Sequence, residues 1–306
     1  MNKIPLIVVA GPTASGKTAL AIDIAKAIDG EIVCADSMQI YKYMDIGTAK
    51  ATLEEKSQCP HHLIDIIEPD CEFSVADYAD MAHKTIADII SRGKMPIMCG
   101  GTGLYIDSVV NDVEFGEYEN DYTLRYELEK IAKKDGAEKL IEILAEFDPE
   151  SAQRLHPNNL KRVIRAIEFY KISGKPISQH QKETREKESR YKTIEFVIAH
   201  NRDDLYDRIN KRVDIMINNG LIAEVKGLIE KGYTQDLNSM QGIGYKELIE
   251  YLKGNTSLRD ATETIKQNSR RYAKRQLTWF RRNSGIYFLS PDNVSAEALK
   301  IIKENL

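Results

Sequence analysis

The run LIVVAGPTASGKTALAIDIAKAI, residues 6–28, limits the fold more than any other stretch of the chain. Its first five residues are apolar and read as a strand buried on both faces. GPTASGKT then fits G-x-x-x-x-G-K-[ST], and KTALAIDIAKAI carries a helical pattern. A strand, a glycine-rich turn and a helix in that order are the context a phosphate-binding loop requires. Across Gly11, Pro12, Thr13, Ala14, Ser15, Gly16, Lys17 and Thr18, the glycines let backbone amides curl around phosphate oxygens. Lys17 is placed to neutralise the outer phosphate, and the Thr18 hydroxyl suits Mg²⁺. The motif points to a phosphate compound without saying which.

Further short apolar runs bounded by Gly, Asp or Pro read as buried parallel strands: EIVCA (31–35), PIMCG (96–100), IEFVIA (194–199) and IYFLS (286–290). Helical stretches lie between them, one opening at Ser74 as an N-cap. About five strands alternating with helices predict an α/β fold, a P-loop NTPase-like, doubly wound parallel sheet. From about residue 112 to 192 the alternation stops and helical pattern dominates. This predicts a helical insertion domain, 113–192, in a core made of 1–112 and 193–306. KETREKESRYK (182–192) reads as a solvated charge run returning the chain to the sheet.

Length and composition fit a globular enzyme: 306 residues, 42% hydrophobic and 29% charged. No run approaches the roughly 20 apolar residues of a membrane span, and the N-terminus lacks a signal-peptide layout. The four cysteines are scattered without a C-x-x-C pair, which predicts a reducing, cytoplasmic setting. Cys59, His61, His62 and Cys71 match no usual zinc spacing, so a structural role is expected for them. Net charge is −4, so binding to a polyanion requires a local basic patch.

One such patch is KQNSRRYAKRQLTWFRR (266–282), with seven basic residues and no acid. At about 100° per residue, its Lys and Arg cover one half of a helix, while Tyr272, Ala273, Trp279 and Phe280 occupy the other. Phosphate-backbone binding is one use of this face; a solvated helix paired with acids elsewhere is the other. Lys161, Arg162 and Arg165 form a second basic group on helical spacing. Asp36 ends the second strand at the ligand edge of the sheet. It reads as a metal ligand, as a general base facing an acceptor, or as a turn residue. GGTGLY (100–105) is a backbone-exposing turn at the same edge, either a simple strand-to-helix connection or a ligand contact through Thr102.

Eight segments in order then resemble one family: GPTASGKT, ADSMQIY, PHHLID, GGTGLY, LKRVIRAIEFYKISGKP, RINKRVDIMINNGLIAEV, GIGYKEL and RRYAKRQLTWFRR. They are similar to the bacterial tRNA dimethylallyltransferases, over residues 5 to about 289. The resemblance implies transfer of a dimethylallyl group from dimethylallyl diphosphate to the exocyclic amine of adenosine 37 in tRNAs reading codons that begin with U. It implies that the phosphate loop holds the allylic diphosphate with Mg²⁺, that Asp36 is the base, and that Thr13, Lys17 and Arg212 serve the diphosphate, with Arg208 a second candidate. Ser37, Met38, Gln39, Thr102 and Arg125 fall at positions near the flipped nucleotide. The insertion (Lys161, Arg162, Arg165) and the basic helix (Arg271, Lys274, Arg275) would grip the anticodon stem-loop. Met38 stands where many members have Arg, Asn159 where Asp is frequent, and Ser269 where Thr is frequent. With no zinc finger following, a bacterial-type enzyme is expected, acting as a monomer. A P-loop kinase of a small metabolite, using ATP, is the competing expectation.

Overall fold

Strand β1 (Ile4–Ala10) lies at the centre of a parallel sheet, with Leu6 to Ala10 fully excluded from solvent. The computed structural model describes residues 3–113, 122–186 and 188–306. Five further strands complete the sheet: β2 (Gly30–Cys34), β3 (His61–His62), β4 (Met95–Gly100), β5 (Tyr191–Ile198) and β6 (Ile286–Leu289), in the order β3-β2-β4-β1-β5-β6. Every pairing is parallel, so both sheet faces must be covered by crossover helices. Helices Lys17–Ile28 and Val294–Asn305 cover one face. Helices Val75–Ser91 and Gly103–Val110 cover the other. Ser74 does cap its helix, in a reciprocal capping box with Asp77.

The sheet has six strands where the sequence predicts about five. The extra one, β3, is two residues long and pairs Ile32 with His61 and Val33 with His62. Two residues after a proline leave no alternation to read. The charge run 182–192 is also not simply a solvated return. Helix Ile177–Glu186 takes its first part, and β5 begins already at Tyr191.

A third layer of this unit is helical. Helices Arg202–Asn218, Leu221–Glu230, Tyr245–Leu252 and Leu258–Phe280 bury Val213, Leu221, Leu248 and Ile265 with Ile40 and Met44 of the segment after β2. The chain divides into two compact units, 1–110 with 190–306, and 111–189. The second unit consists, among its described residues, of helices Tyr122–Asp135, Ala137–Ala145, Pro149–Arg154, Leu160–Ser173 and Ile177–Glu186 around Leu140, Leu144, Val163 and Ile167. Among the described residues no helix is long and apolar enough to cross a membrane.

Candidate active site

The registers Ala10↔Gly100 and Cys34↔Cys99 bring the carboxyl ends of β1, β2 and β4 level. From these ends spring the phosphate loop, Asp36 and the GGTG turn. The phosphate loop and Asp36 border one cavity of about 860 Å³, which lies wholly in the first unit, while the GGTG turn packs against Ala35 and Gln276. Thr13, Lys17 and Thr18 line it, as do Asp36, Ser37, Met38 and Gln39. Arg208, Arg212, Tyr272, Arg275 and Gln276 approach from the helical layer.

Gly16, at φ +93°, turns the loop into helix Lys17–Ile28, whose first turn has no side-chain cap. Its amides are therefore open to an anion. Ser15 Oγ is buried without a hydrogen-bond partner among the described residues, as expected of a cradle built for a ligand. The loop's own carbonyls are held from outside. Arg208 Nε donates to Ala14 O at 2.8 Å, and His200 Nε2 lies 2.8 Å from Ser15 O. Thr13 N donates to Gln276 Oε1 at 3.2 Å.

Two cations converge here. Burial pushes the Lys17 ammonium below its ordinary pKa, and Arg212 adds to that, while Cys99 and Asp36 oppose it. Burial also lowers Arg212, against the attraction of Asp36. Asp36 and Glu55 both attract Arg212, yet burial still outweighs them, and a multiply charged anion in the cavity would stabilise both cations.

Asp36 is half-buried. Its Oδ1 accepts from Met38 N at 2.9 Å, a turn role, and Oδ2 has no hydrogen-bond partner among the described residues. The turn reading and the base reading are thus compatible. Thr102 Oγ1 accepts from Ser37 N at 3.0 Å and lies 3.3 Å from Ser37 Oγ. The Tyr272 phenol, which also lines the cavity, is raised to about 12 by burial and the Asp36 charge. Gln39 is committed elsewhere: its Nε2 donates to Thr48 O and Ala49 O, and its Oε1 accepts from Cys34 Sγ. It braces the loop bordering the cavity, so its amide is occupied. Met38 packs its methyl group near Gly242, where a Cβ would lie 2.6 Å from it.

The GGTG glycines serve close approach. A Cβ at Gly100 would lie 2.1 Å from Ala35 O, and one at Gly103 would strike the Trp279 indole at 2.4 Å. That indole donates to Asp107 Oδ2 at 2.9 Å. The turn is therefore a packing joint, and Thr102 is its polar member.

The basic helix, Leu258–Phe280, carries two kinds of cation. Lys266 is paired with Asp214 (2.9 Å) and Glu263 (3.0 Å), and Arg270 donates to Asn210 at 2.5 Å. Arg271, Lys274 and Arg275 are exposed and have no acidic partner among the described residues; Arg275 lies over the Tyr272 ring, 5.5 Å from its centroid. In the second unit, Lys161, Arg162 and Arg165 are likewise exposed and unpaired among the described residues. Arg125 there forms a bidentate pair with buried Glu168, both contacts 2.8 Å.

The Thr18 hydroxyl and the Asp36 carboxylate border the cavity together. The Thr18 hydroxyl would hold Mg²⁺ together with substrate phosphates and water, leaving the Asp36 carboxylate for the acceptor. No group of three His, Cys, Asp or Glu among the described residues could hold a metal alone. Sequence reasoning missed Gln276, His200 and Glu224. Glu224 accepts from the amides of Asp45, Ile46 and Gly47 and from the Tyr245 phenol. Gln276 leaves one readable signal, a polar residue on the buried stripe Ala273–Gln276–Phe280.

The chain is similar to known proteins over nearly its whole length. Residues 39–283 match the family model described as IPP transferase. A tRNA dimethylallyltransferase of Acetivibrio thermocellus is 53% identical over 97% of this chain and 95% of that protein. One from Lachnoclostridium phytofermentans is 49% identical over 96% and 94%. The crystal structure of a tRNA isopentenylpyrophosphate transferase from Bacillus halodurans superposes with TM-score 0.73 at 43% identity, covering 99% of this chain and 95% of that one. A eukaryotic dimethylallyltransferase acting on tRNA superposes with TM-score 0.83 at 28% identity, covering 99% and 79%. The chain therefore belongs to the IPP transferase family, the prenyltransferases that include the tRNA dimethylallyltransferases.

Proposed function

We propose that this chain transfers the dimethylallyl group of dimethylallyl diphosphate to N6 of adenosine 37 in the anticodon stem-loop of tRNAs reading codons that begin with U. The observation that carries the reading is the shared cavity, in which an open phosphate loop with two desolvated cations faces a carboxylate with a free oxygen. The bond that breaks joins the allylic carbon to the diphosphate oxygen; the bond that forms joins that carbon to N6. Charge developing on the leaving diphosphate is met by Lys17, Arg212 and the loop amides. Adenine's exocyclic amine is a weak nucleophile, and Asp36 Oδ2 accepts the proton it loses. Thr102 and Ser37 hold polar groups beside that carboxylate, and Tyr272 walls the acceptor side. When bound by Thr18 and phosphate oxygens, Mg²⁺ would supply further neutralisation of the leaving group.

The adenine must leave the loop stack to reach this depth, at an expense of a few kcal/mol. The unpaired cations of the basic helix, and those of the second unit, would offset that expense through phosphate contacts. We further propose that the protein works as a monomer in the cytoplasm.

The test is a side-by-side assay with purified protein and Mg²⁺. Labelled dimethylallyl diphosphate is offered with unmodified tRNA or with AMP, alongside labelled ATP. Label passing from the allylic donor to tRNA supports the reading. Label moving from ATP alone would replace it with a kinase, and label entering AMP alone would remove the RNA from the reaction.

A further inference from the structure

The phosphate loop and the GGTG turn are tied together by a single side-chain amide. Gln276 is 6% exposed and lies on the buried stripe of the basic helix. Its Oε1 accepts from Thr13 N at 3.2 Å, and its Nε2 donates to Gly101 O at 2.8 Å. The two loops touch at this point, because a Cβ at Gly101 would lie 2.3 Å from Gln276 Nε2 and 3.1 Å from Gly11 O. The preceding residue, Arg275, is one of the unpaired cations of the same helix.

We propose that Gln276 is a positioning residue for the transfer, holding the diphosphate loop and the acceptor-side turn in fixed relation from the helix that faces the RNA; this rests on the function proposed above. The chemistry of the amide explains the residue type. One end must accept and the other must donate, which glutamine does without charge. A carboxylate would keep the acceptor, lose the donor and place negative charge beside the diphosphate. An aliphatic side chain would leave Thr13 N and Gly101 O without partners in a buried place. Gln276 acts through Thr13, which lines the cavity, and through Gly101, whose neighbour Thr102 accepts from Ser37 N. A displacement of either loop moves the phosphate cradle relative to Asp36 and Thr102, and transfer depends on that separation.

Two variants test the proposal in the full-length protein: Gln276→Ala and Gln276→Glu. Three quantities are measured: affinity for inorganic diphosphate with Mg²⁺ by calorimetry, single-turnover transfer at saturating donor, and affinity for an unmodified anticodon stem-loop. Gln276→Ala should weaken diphosphate binding and slow transfer by roughly tenfold to a hundredfold, with stem-loop affinity at the wild-type level. Gln276→Glu supplies a readout that general loss of structure would not move. Its carboxylic acid form restores both an acceptor and a donor, so its transfer rate relative to wild type should rise as pH falls from about 8 to about 6. Lys17, Asp36, Glu55, Arg208, Arg212, Tyr272 and Arg275 face the same cavity in both proteins, so the ratio to wild type isolates position 276. A folded Gln276→Ala variant with wild-type diphosphate affinity and rate would overturn the proposal. So would a pH-independent ratio for Gln276→Glu, which decides the matter if the alanine variant does not fold. Absence of transfer by the wild type would instead remove the proposed function, and the diphosphate affinities would still decide the role of Gln276.

Discussion

Replacing Arg271 and Lys274 together by alanine should flatten the salt dependence of RNA binding by an amount that follows from their surroundings. Both side chains are exposed and lack acidic partners among the described residues, so each is free to displace a counterion from a phosphate. A phosphate contact contributes about 0.7 to 0.9 to the slope of log affinity against log salt. Two lost contacts therefore flatten it by about 1.6, and over a fourfold rise in salt the deficit of the variant shrinks by roughly tenfold. Fluorescence anisotropy with a labelled unmodified anticodon stem-loop across a salt series measures this directly. Lys266→Ala is the internal control. Its charge is already met by Asp214 and Glu263, so the slope should change by well under half as much per charge. An unchanged slope in the double variant, or an equal flattening in Lys266→Ala, would mean that the unpaired cations of this helix do not mark an RNA-facing side.

Three further outcomes are expected. Asp36→Asn keeps the acceptor for Met38 N but removes the basic oxygen, and should slow single-turnover transfer by roughly a hundredfold or more while stem-loop affinity stays unchanged. Glu195 in β5 is raised to about 7 by burial and by the charge of Asp107. Its native state binds the proton more tightly than the unfolded chain, so its contribution declines as pH rises from about 4.5 to about 7 and is level above that. Glu195→Gln should therefore gain up to about 3 kcal/mol over wild type above about pH 7, the difference vanishing near pH 4.5, as read from denaturant titrations at several pH values. Gly100→Ala places a Cβ 2.1 Å from Ala35 O, between two backbones that have no soft side chain to yield. Its melting temperature should fall by the equivalent of about 3 kcal/mol or more, in excess of ordinary overpacking.

The parts of the site legible in the sequence are those whose function is local. The phosphate loop needs one strand, one turn and one helix in succession, and Lys17 and Thr18 follow from their place in it. Asp36 follows from its position at the end of an apolar run. What escaped the sequence depends on partners far along the chain. Gln276 meets Thr13 across 263 positions, and Lys266 meets Asp214 on another helix, so neither the brace nor the pairing shows in a helical wheel. Gln39 is instructive in the opposite direction. Its place in the DSMQIY motif implied contact with the base, whereas its amide is spent on the backbone of Thr48 and Ala49. Likewise Arg125 was expected near the nucleotide and is paired with Glu168. Of the helical layer from 202 to 280 only the basic stretch 266–282 was read as a helix from its pattern, and the rest entered through motifs, since its apolar residues meet Ile40 and Met44, a segment with no regular pattern of its own.

In the proposed reaction the diphosphate cradle and the carboxylate of Asp36 act on two substrates meeting in one cavity. The most direct measurement is a crystal structure of the chain with an unreactive thio-analogue of dimethylallyl diphosphate and an unmodified anticodon stem-loop. The diphosphate is expected against residues Gly11 to Thr18 with Lys17 and Arg212, and the N6 of a flipped adenine about 3 Å from Asp36 Oδ2. An adenine left in the loop stack, or a diphosphate seated away from the phosphate loop, would contradict the proposed reaction.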